Sequence, residues 1–369
     1  MSRLLSFICF LLIVQFNFGQ VGADNKSKAL KKQDHPKVKN IILMIGDGMG
    51  TSQIYAGMTA NKGQLNIERF RNIGFSKTYA ANDYITDSGA GGTAISTGYK
   101  TYNGAIGVDK DTIPRKTILE YAEMHQKSTG LVATCAITHA TPASFISHQS
   151  SRKMQEEIAA DFLKTDFEVA IGGGLKYFNQ RKDNIDLTEL LKEKGYTVIT
   201  SPDSISFAKG NKLAGLLYQE HPPKFSEGRG DMLLKSAMKA IEVLSQDEDG
   251  FFLMIEGSQI DWGGHDNDTR YIVDEMIDFD KTIGVVLDFA QKDGKTLVIV
   301  TADHETGGMG LNSGNIEKGE VSAKYTTGDH TGVMVPVFAY GPEAENFRGI
   351  FENTAIFDKM MSAFGFKKE

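Results

Sequence analysis

The chain has 369 residues, 41% of them hydrophobic and 24% charged, with a formal net charge of −7. That balance is ordinary for a globular protein and accommodates one large domain or two modest ones. An acidic chain lacks the basic footprint that non-specific nucleic-acid binding requires, although bound cations would reverse the local field for a small anionic ligand.

In chain order, the first element is a targeting segment. Met1-Ser2-Arg3 is a short positive start, and residues 4–18 are apolar except for Ser6, Gln15 and Asn17. This stretch is too short to span a bilayer comfortably. It reads as a signal peptide within residues 1–23, cleaved after Gly19 or Ala23, with an N-terminal membrane anchor as the alternative. The expected product is exported, periplasmic or secreted, with no stable membrane association. Residues 24–37 carry Lys and Asp without apolar periodicity and read as a flexible leader. Of the two cysteines only Cys135 survives cleavage, so no internal disulfide is expected.

Residues 38–369 are expected to form a single catalytic α/β domain. Short, β-branched-rich apolar runs at 38–45, 130–137, 168–171, 251–255, 296–301 and 335–340 predict buried strands. Apolar residues at helical spacing over 116–126, 155–163, 231–245 and 269–291 predict helices between them. The alternation predicts a three-layer sandwich: a central, mostly parallel sheet with helices on both faces. Residues 180–230 have a weaker pattern and read as a variable excursion from the same domain.

Ligands of such sheets bind beyond the carboxyl ends of strands. Asp47 follows the first run, His139 and Thr141 the second, Glu256 the fourth, and Asp303 and His304 the fifth. Asp47 lies in Gly46-Asp-Gly-Met-Gly50, where Thr51 breaks a dinucleotide fingerprint. An acid there repels a pyrophosphate and suits a cation, or else forms an Asx-turn. Residues 86–94 place Ser88 ahead of a run of small residues. This is either a nucleophile at a helix N-terminus, with glycines leaving room for a phosphate, or a Gly-rich loop. Asp261 and His265, four apart, would meet on one ion if helical, although Gly263-Gly264 allow a tight turn equally well. His330 adds an imidazole before the last strand, while His35, His125, His148 and His221 read as structural or surface residues.

These segments together resemble bacterial alkaline phosphatases over essentially everything after residue 38. The resemblance rests on Asp47 in its turn, residues 86–108 with Ser88, His139-Ala-Thr141-Pro, Ser151-Arg152, residues 256–265, residues 301–304 and His330-Thr-Gly. It implies two Zn2+ and one Mg2+ per subunit. One zinc would take Asp261, His265 and His330; the second Asp47, Asp303, His304 and Ser88; magnesium Asp47, Thr141 and Glu256. Imidazole with carboxylate suits zinc, and an all-oxygen set suits magnesium. Arg152 would clamp two phosphate oxygens with its planar fork, held by Asp87.

The implied reaction is hydrolysis of phosphate monoesters at alkaline pH. Ser88 attacks phosphorus in line, and water then hydrolyses the phosphoserine. Inorganic phosphate would be product and inhibitor, a nucleic acid only a phosphorylated-end substrate, and the assembly a homodimer. His139 stands where the best-known bacterial pattern has aspartate, and Trp262 where it has lysine, a combination found in some marine bacterial members. The segment between His304 and His330 is too short for a crown-like subdomain, which predicts an open site. Two alternatives remain: a related metal-dependent phosphodiesterase or sulfatase, and a non-catalytic phosphate-binding protein. Ser88 lacks the Cys/Ser-x-Pro-x-Arg setting of sulfatases, diesterases generally lack the Arg152 and third-metal features, and a binding protein needs no set of zinc-type ligands.

Overall fold

The computed structural model describes residues 37–368; the signal segment and the leader up to residue 36 lie outside the described residues. The strands in chain order are β1 (Asn40–Gly46), β2 (Asn72–Lys77), β3 (Ser128–Ala136), β4 (Val169–Gly173), β5 (Thr197–Ile199), β6 (Leu213–Leu216), β7 (Phe251–Gly257) and β8 (Thr296–Thr301). They continue with β9 (Glu305–Thr306), β10 (Gly310–Asn315), β11 (Glu320–Lys324), β12 (His330–Thr331), β13 (Val335–Tyr340) and β14 (Gly349–Glu352). Ten of them form one sheet in the order β14-β2-β13-β8-β1-β7-β3-β4-β6-β5. Every neighbouring pair is parallel except the two that involve β13, so β13 alone runs against the rest.

The central strands are covered on both faces. Along β1, Ile41, Leu43 and Ile45 enter one core while Ile42 and Met44 enter the other, and all five are fully buried. Strand periodicity of two sends successive side chains to opposite faces, so a strand buried on both reads as an unbroken apolar run. The first core is closed by Ile95, Leu119, Ile158 and Phe357 from four helices, the second by Ile241, Ile272, Phe279 and Ile283 from two. The longest of these, Thr269–Asp293, starts where the Asp268 carboxylate accepts from the Arg270 and Tyr271 amides and stops at left-handed Gly294.

The six expected strands and four expected helices are all present, and the fold is the three-layer α/β class. Within residues 180–230 the weaker pattern still builds regular elements. These residues carry β5, β6 and the helix Leu187–Glu193, and β6 pairs with β4 through Ile171↔Gly215. The segment therefore extends the sheet. Strands of three and four residues are too short to show a period.

The centre of the sheet positions the site. Strands β8, β1, β7 and β3 are adjacent, and Ile45 is level with Thr301 on one side and with Glu256 on the other. Glu256 in turn is level with Ala133 of β3. The carboxyl ends of β1, β7 and β8 therefore finish together, β3 runs on past them to Ala136, and the residues that follow all four meet at one edge.

Candidate active site

Asp47, Glu256, Asp261 and Asp303 are all at most 4% exposed, and Asp47 Oδ1, Glu256 Oε1 and Asp303 Oδ2 have no hydrogen-bond partner. Buried charges left unpaired are expensive, so such a cluster demands cations or protons. Burial, reinforced by Asp303, Asp261 and Glu256, pushes Asp47 well above the usual carboxylate range. Burial also lifts Asp303 to about 8 and Glu256 to about 7.

Two sets of ligand-type atoms emerge, each within 4.8 Å: Asp47, Asp303 and His304, and Asp261, His265 and His330. In the first, His304 Nε2 is 3.4 Å from both Asp47 Oδ1 and Asp303 Oδ2. In the second, the helix Gln259–His265 puts Asp261 and His265 one turn apart, Asp261 Oδ2 lying 3.4 Å from His265 Nε2. Gly263 and Gly264 are helical, not a turn. A Cβ on them would come within 2.8 Å of Ile272 N and Thr306 Cβ, so glycine allows this helix its close approach.

The histidines of the second set carry a sharp clue. His265 Nδ1 is 2.7 Å from the Gly328 carbonyl, and His330 Nδ1 is 2.8 Å from the Thr86 carbonyl. A carbonyl can only accept, so each Nδ1 holds a proton. Their Nε2 atoms face each other at 3.1 Å, beside Asp261. Two lone pairs at that distance need a shared cation or an added proton between them, and hydrogen-bonded Nδ1–H groups are the usual support of metal-bound imidazoles. The Asp261 hydrogen bond raises His265 to about 9, and the same bond holds Asp261 low against its burial. The His304 and His330 rings stack at 3.6 Å between centroids, so the two sets adjoin.

Ser88 opens the helix Ser88–Thr97. Its Oγ is 3.3 Å from His304 Nε2, and the preceding Asp87 caps the helix by accepting from the Ala90 amide at 2.9 Å. The glycines behind Ser88 do not face an open space for phosphate. A Cβ on Gly91 would lie 3.1 Å from Asp303 Cβ, and one on Gly92 would lie 3.0 Å from Ser144 Oγ. They let the helix lie against the Asp303 loop and Ser144. Room for a ligand is instead outside the helix tip, in an open cleft of about 530 Å³ whose lining includes Ser88, Arg152, Trp262 and His330.

Arg152 reaches the cleft with Nη1 on Asp87 Oδ2 at 2.9 Å and Nη2 on His139 Nε2 at 3.2 Å. Burial is the largest single influence and opposes its charge, but Asp87, with Asp47 and Asp261 beyond it, raises it on balance. On the far side, Thr141 Oγ1 donates to Asp47 Oδ2 at 3.4 Å, and Cys135 Sγ is 3.4 Å from Glu256 Oε2. Cys135, His139 and Glu256 also lie together within 4.8 Å. His139 Nδ1 is buried without a partner.

The site residues expected from the sequence thus all fall around one cleft or directly behind it. His125 and His148 lie apart as expected, one stacked on Phe366 and the other bonded to Glu120. His221 does not. Its ring stands edge-on to Trp262 at 4.9 Å and to His139 at 5.6 Å. Nothing in its Glu-His-Pro-Pro surroundings marked it, because it reaches the site only through the folding of β6 onto the sheet.

A parallel-centred sheet whose carboxyl edge gathers buried acids and histidines around a serine and an arginine defines a metal-dependent hydrolase of anionic esters. The family described as alkaline phosphatase matches residues 38–323 and 312–366. Alkaline phosphatase 4 of Bacillus subtilis is 37% identical over 88% of this chain and 88% of its own. The solved structure of alkaline phosphatase from the Antarctic bacterium TAB5 is 44% identical, with a TM-score of 0.85 over 90% of this chain and 99% of its own. A variant of that enzyme with a histidine changed to aspartate and Mg bound in its M3 site superposes with a TM-score of 0.84, at 44% identity over 90% of this chain and 99% of its own. The chain belongs to the alkaline phosphatase family, whose members are metal-dependent phosphate monoester hydrolases.

Proposed function

We propose that this alkaline phosphatase works through Ser88 as nucleophile, with two zinc ions and one magnesium ion. The observation that carries the reading is the pair of adjoining ligand sets beside Ser88, with the Nε2 atoms of His265 and His330 turned on each other at 3.1 Å. Asp261, His265 and His330 would hold one zinc, and Asp47, Asp303 and His304 the other, with Ser88 completing the second set. Asp47, Thr141 and Glu256 offer the oxygen-only set that suits magnesium. When bound, such paired cations stabilise the entering and leaving oxygens of an in-line displacement and favour the serine alkoxide.

The chain's own residues supply the rest. Ser88 presents Oγ at a helix N-terminus, where amides and the helix dipole favour an anionic group. Arg152 presents its fork to two phosphate oxygens, with Asp87 holding its other edge. Ser88 gives its hydroxyl proton to solvent, Oγ bonds to phosphorus as the P–O bond to the alcohol breaks, the departing oxygen takes a proton from water, and a second water then breaks the Oγ–P bond to release phosphate and restore the hydroxyl. His304 Nε2 faces Asp47 and Asp303 as well as Ser88, so it acts in this reading as a ligand and not as a base. Trp262 offers phosphate no charge. With recognition confined to the phosphate, a broad range of alcohols is expected.

Among the described residues no helix is long and apolar enough to cross a membrane. The apolar N-terminal segment supports an exported protein, and the family resemblance supports a homodimer. The test is hydrolysis of an aryl phosphate monoester, a diester and a sulfate at alkaline pH, with and without a chelator. Preferential monoester hydrolysis, lost on chelation and restored by zinc with magnesium, is the expected result. Activity confined to the diester, or indifferent to chelation, overturns the reading.

A further inference from the structure

We propose that His221 is a positioning residue for the phosphate site, setting the planes of His139 and Trp262 and through them the reach of Arg152. The inference rests on the phosphatase reading above and goes beyond its residues. The strand pairing between β3 and β4 is irregular between Val132 and Ala136. The Ala136 amide, at the end of β3, donates instead to His221 Nδ1 at 3.0 Å. This bond ties the His221 ring to the strand that delivers His139. The backbone on either side is pinned as well: Glu220 O accepts from Gly174 N at 2.6 Å, and Pro222 O from the Gln259 side chain at 2.9 Å.

The anchored ring has two neighbours. It meets Trp262 at an interplanar angle of 83° and His139 at 88°, while His139 meets Trp262 at 84° with centroids 6.2 Å apart. Three mutually edge-on rings form a corner, the arrangement that aromatic quadrupoles favour. His139 depends on it. Its Nδ1 has no hydrogen-bond partner, and its Nε2 is taken up by Arg152, so no second hydrogen bond fixes the rotation of its ring. Ring contacts from His221 and Trp262 do that instead. Trp262 sits between the metal-site candidates Asp261 and His265 in sequence and also lines the cleft. A wedge that holds Trp262 and His139 therefore holds the wall against which Arg152 binds phosphate.

The test uses the metal-loaded full chain and three variants. His221→Ala and His221→Gln both remove the ring, whereas His221→Phe keeps it and loses only the acceptor for the Ala136 amide. KM for an aryl phosphate and the inhibition constant of inorganic phosphate should rise together by about tenfold in the alanine and glutamine variants, with kcat changed less than about twofold. The phenylalanine variant should stay within about threefold of the parent for both. Trp262 is the only tryptophan, so emission reports its surroundings directly. Emission should shift to the red in the alanine and glutamine variants and not in the phenylalanine variant. Should alanine fail to fold, the glutamine and phenylalanine pair still decides the matter. Unchanged KM and emission without the ring, or a glutamine variant indistinguishable from the parent, overturns the inference while leaving the phosphatase reading intact. Absence of monoester hydrolysis in the loaded parent would instead overturn that reading.

Discussion

Arg152 enters the cleft with Nη1 on Asp87 and Nη2 on His139, and its remaining N–H groups are left for a ligand. Its removal should weaken phosphate binding more than chemistry. Arg152→Ala is expected to raise KM and the phosphate inhibition constant by roughly 30- to 150-fold, the scale of a lost charge-assisted contact of about 2–3 kcal/mol. Ser88→Ala should abolish turnover. Equal loss in both variants, measured by steady-state kinetics, would contradict this division of labour. The ligand sets make a second prediction. Ligands must shed protons to bind a metal. The Asp261 hydrogen bond raises His265 to about 9 and burial raises Asp303 to about 8, so at pH 8 both carry protons in part before a metal binds. Zinc added at pH 8 should release about one to two protons per chain in a pH-stat, fewer as pH rises past both values. By the same sign, acid should weaken metal binding. Release near zero at pH 8 would count against these ligands. The ligand candidates were legible because acids and histidines seldom follow buried apolar runs, and here they do so repeatedly. His221 was not, since its partners come from β3 and the helix Gln259–His265, both distant in sequence.

Among the elements, the helix Ser88–Thr97 is set by how little lies between it and Asp303. Gly91→Ala would place a Cβ 3.1 Å from Asp303 Cβ and 3.2 Å from the Asp303 carbonyl, forcing the helix or the ligand loop to move. Small displacements of reacting groups cost heavily, so kcat/KM should fall roughly 10- to 100-fold. Kinetics alongside a melting curve distinguish this from general unfolding. At the opposite end of the sheet, Glu123 and Glu168 flank Thr129, and burial lifts both to about 7. A raised carboxyl favours folding while protonated. That contribution is complete below its ordinary value near 4.5 and is lost as pH rises through about 7. Glu123→Gln should therefore stabilise the fold at pH 9 by about 1 kcal/mol, discounted for partial exposure, and by nearly nothing at pH 5. Urea unfolding at both values checks it, and an equal gain at both would refute it. The long buried strands were visible in the sequence as β-branched runs. Strands β2, β5, β6 and β14 were not, being short or partly exposed on an edge of the sheet.

For the molecule as a whole, bound ions do more than catalyse. Cys135 is a free, buried thiol, and among the described residues no disulfide staples the fold. Four buried carboxylates at the centre of the sheet repel one another without cations. Ions that bind only the folded chain stabilise it by mass action. Chelation should lower Tm by at least about 5 °C, whereas a reductant should leave it unchanged. The class of architecture was legible because alternating strand and helix patterns permit few solutions. The meeting of four strand ends at one edge was not, because strand order in a sheet is absent from local sequence.

The central claim is that two ions sit side by side against Ser88, one on each ligand set. Anomalous diffraction at the zinc edge, from crystals of the zinc-loaded chain, tests it directly. Two peaks a few ångströms apart are expected, one bounded by Asp261, His265 and His330 and the other by Asp47, Asp303 and His304. A single peak, or peaks away from these six residues, would contradict it.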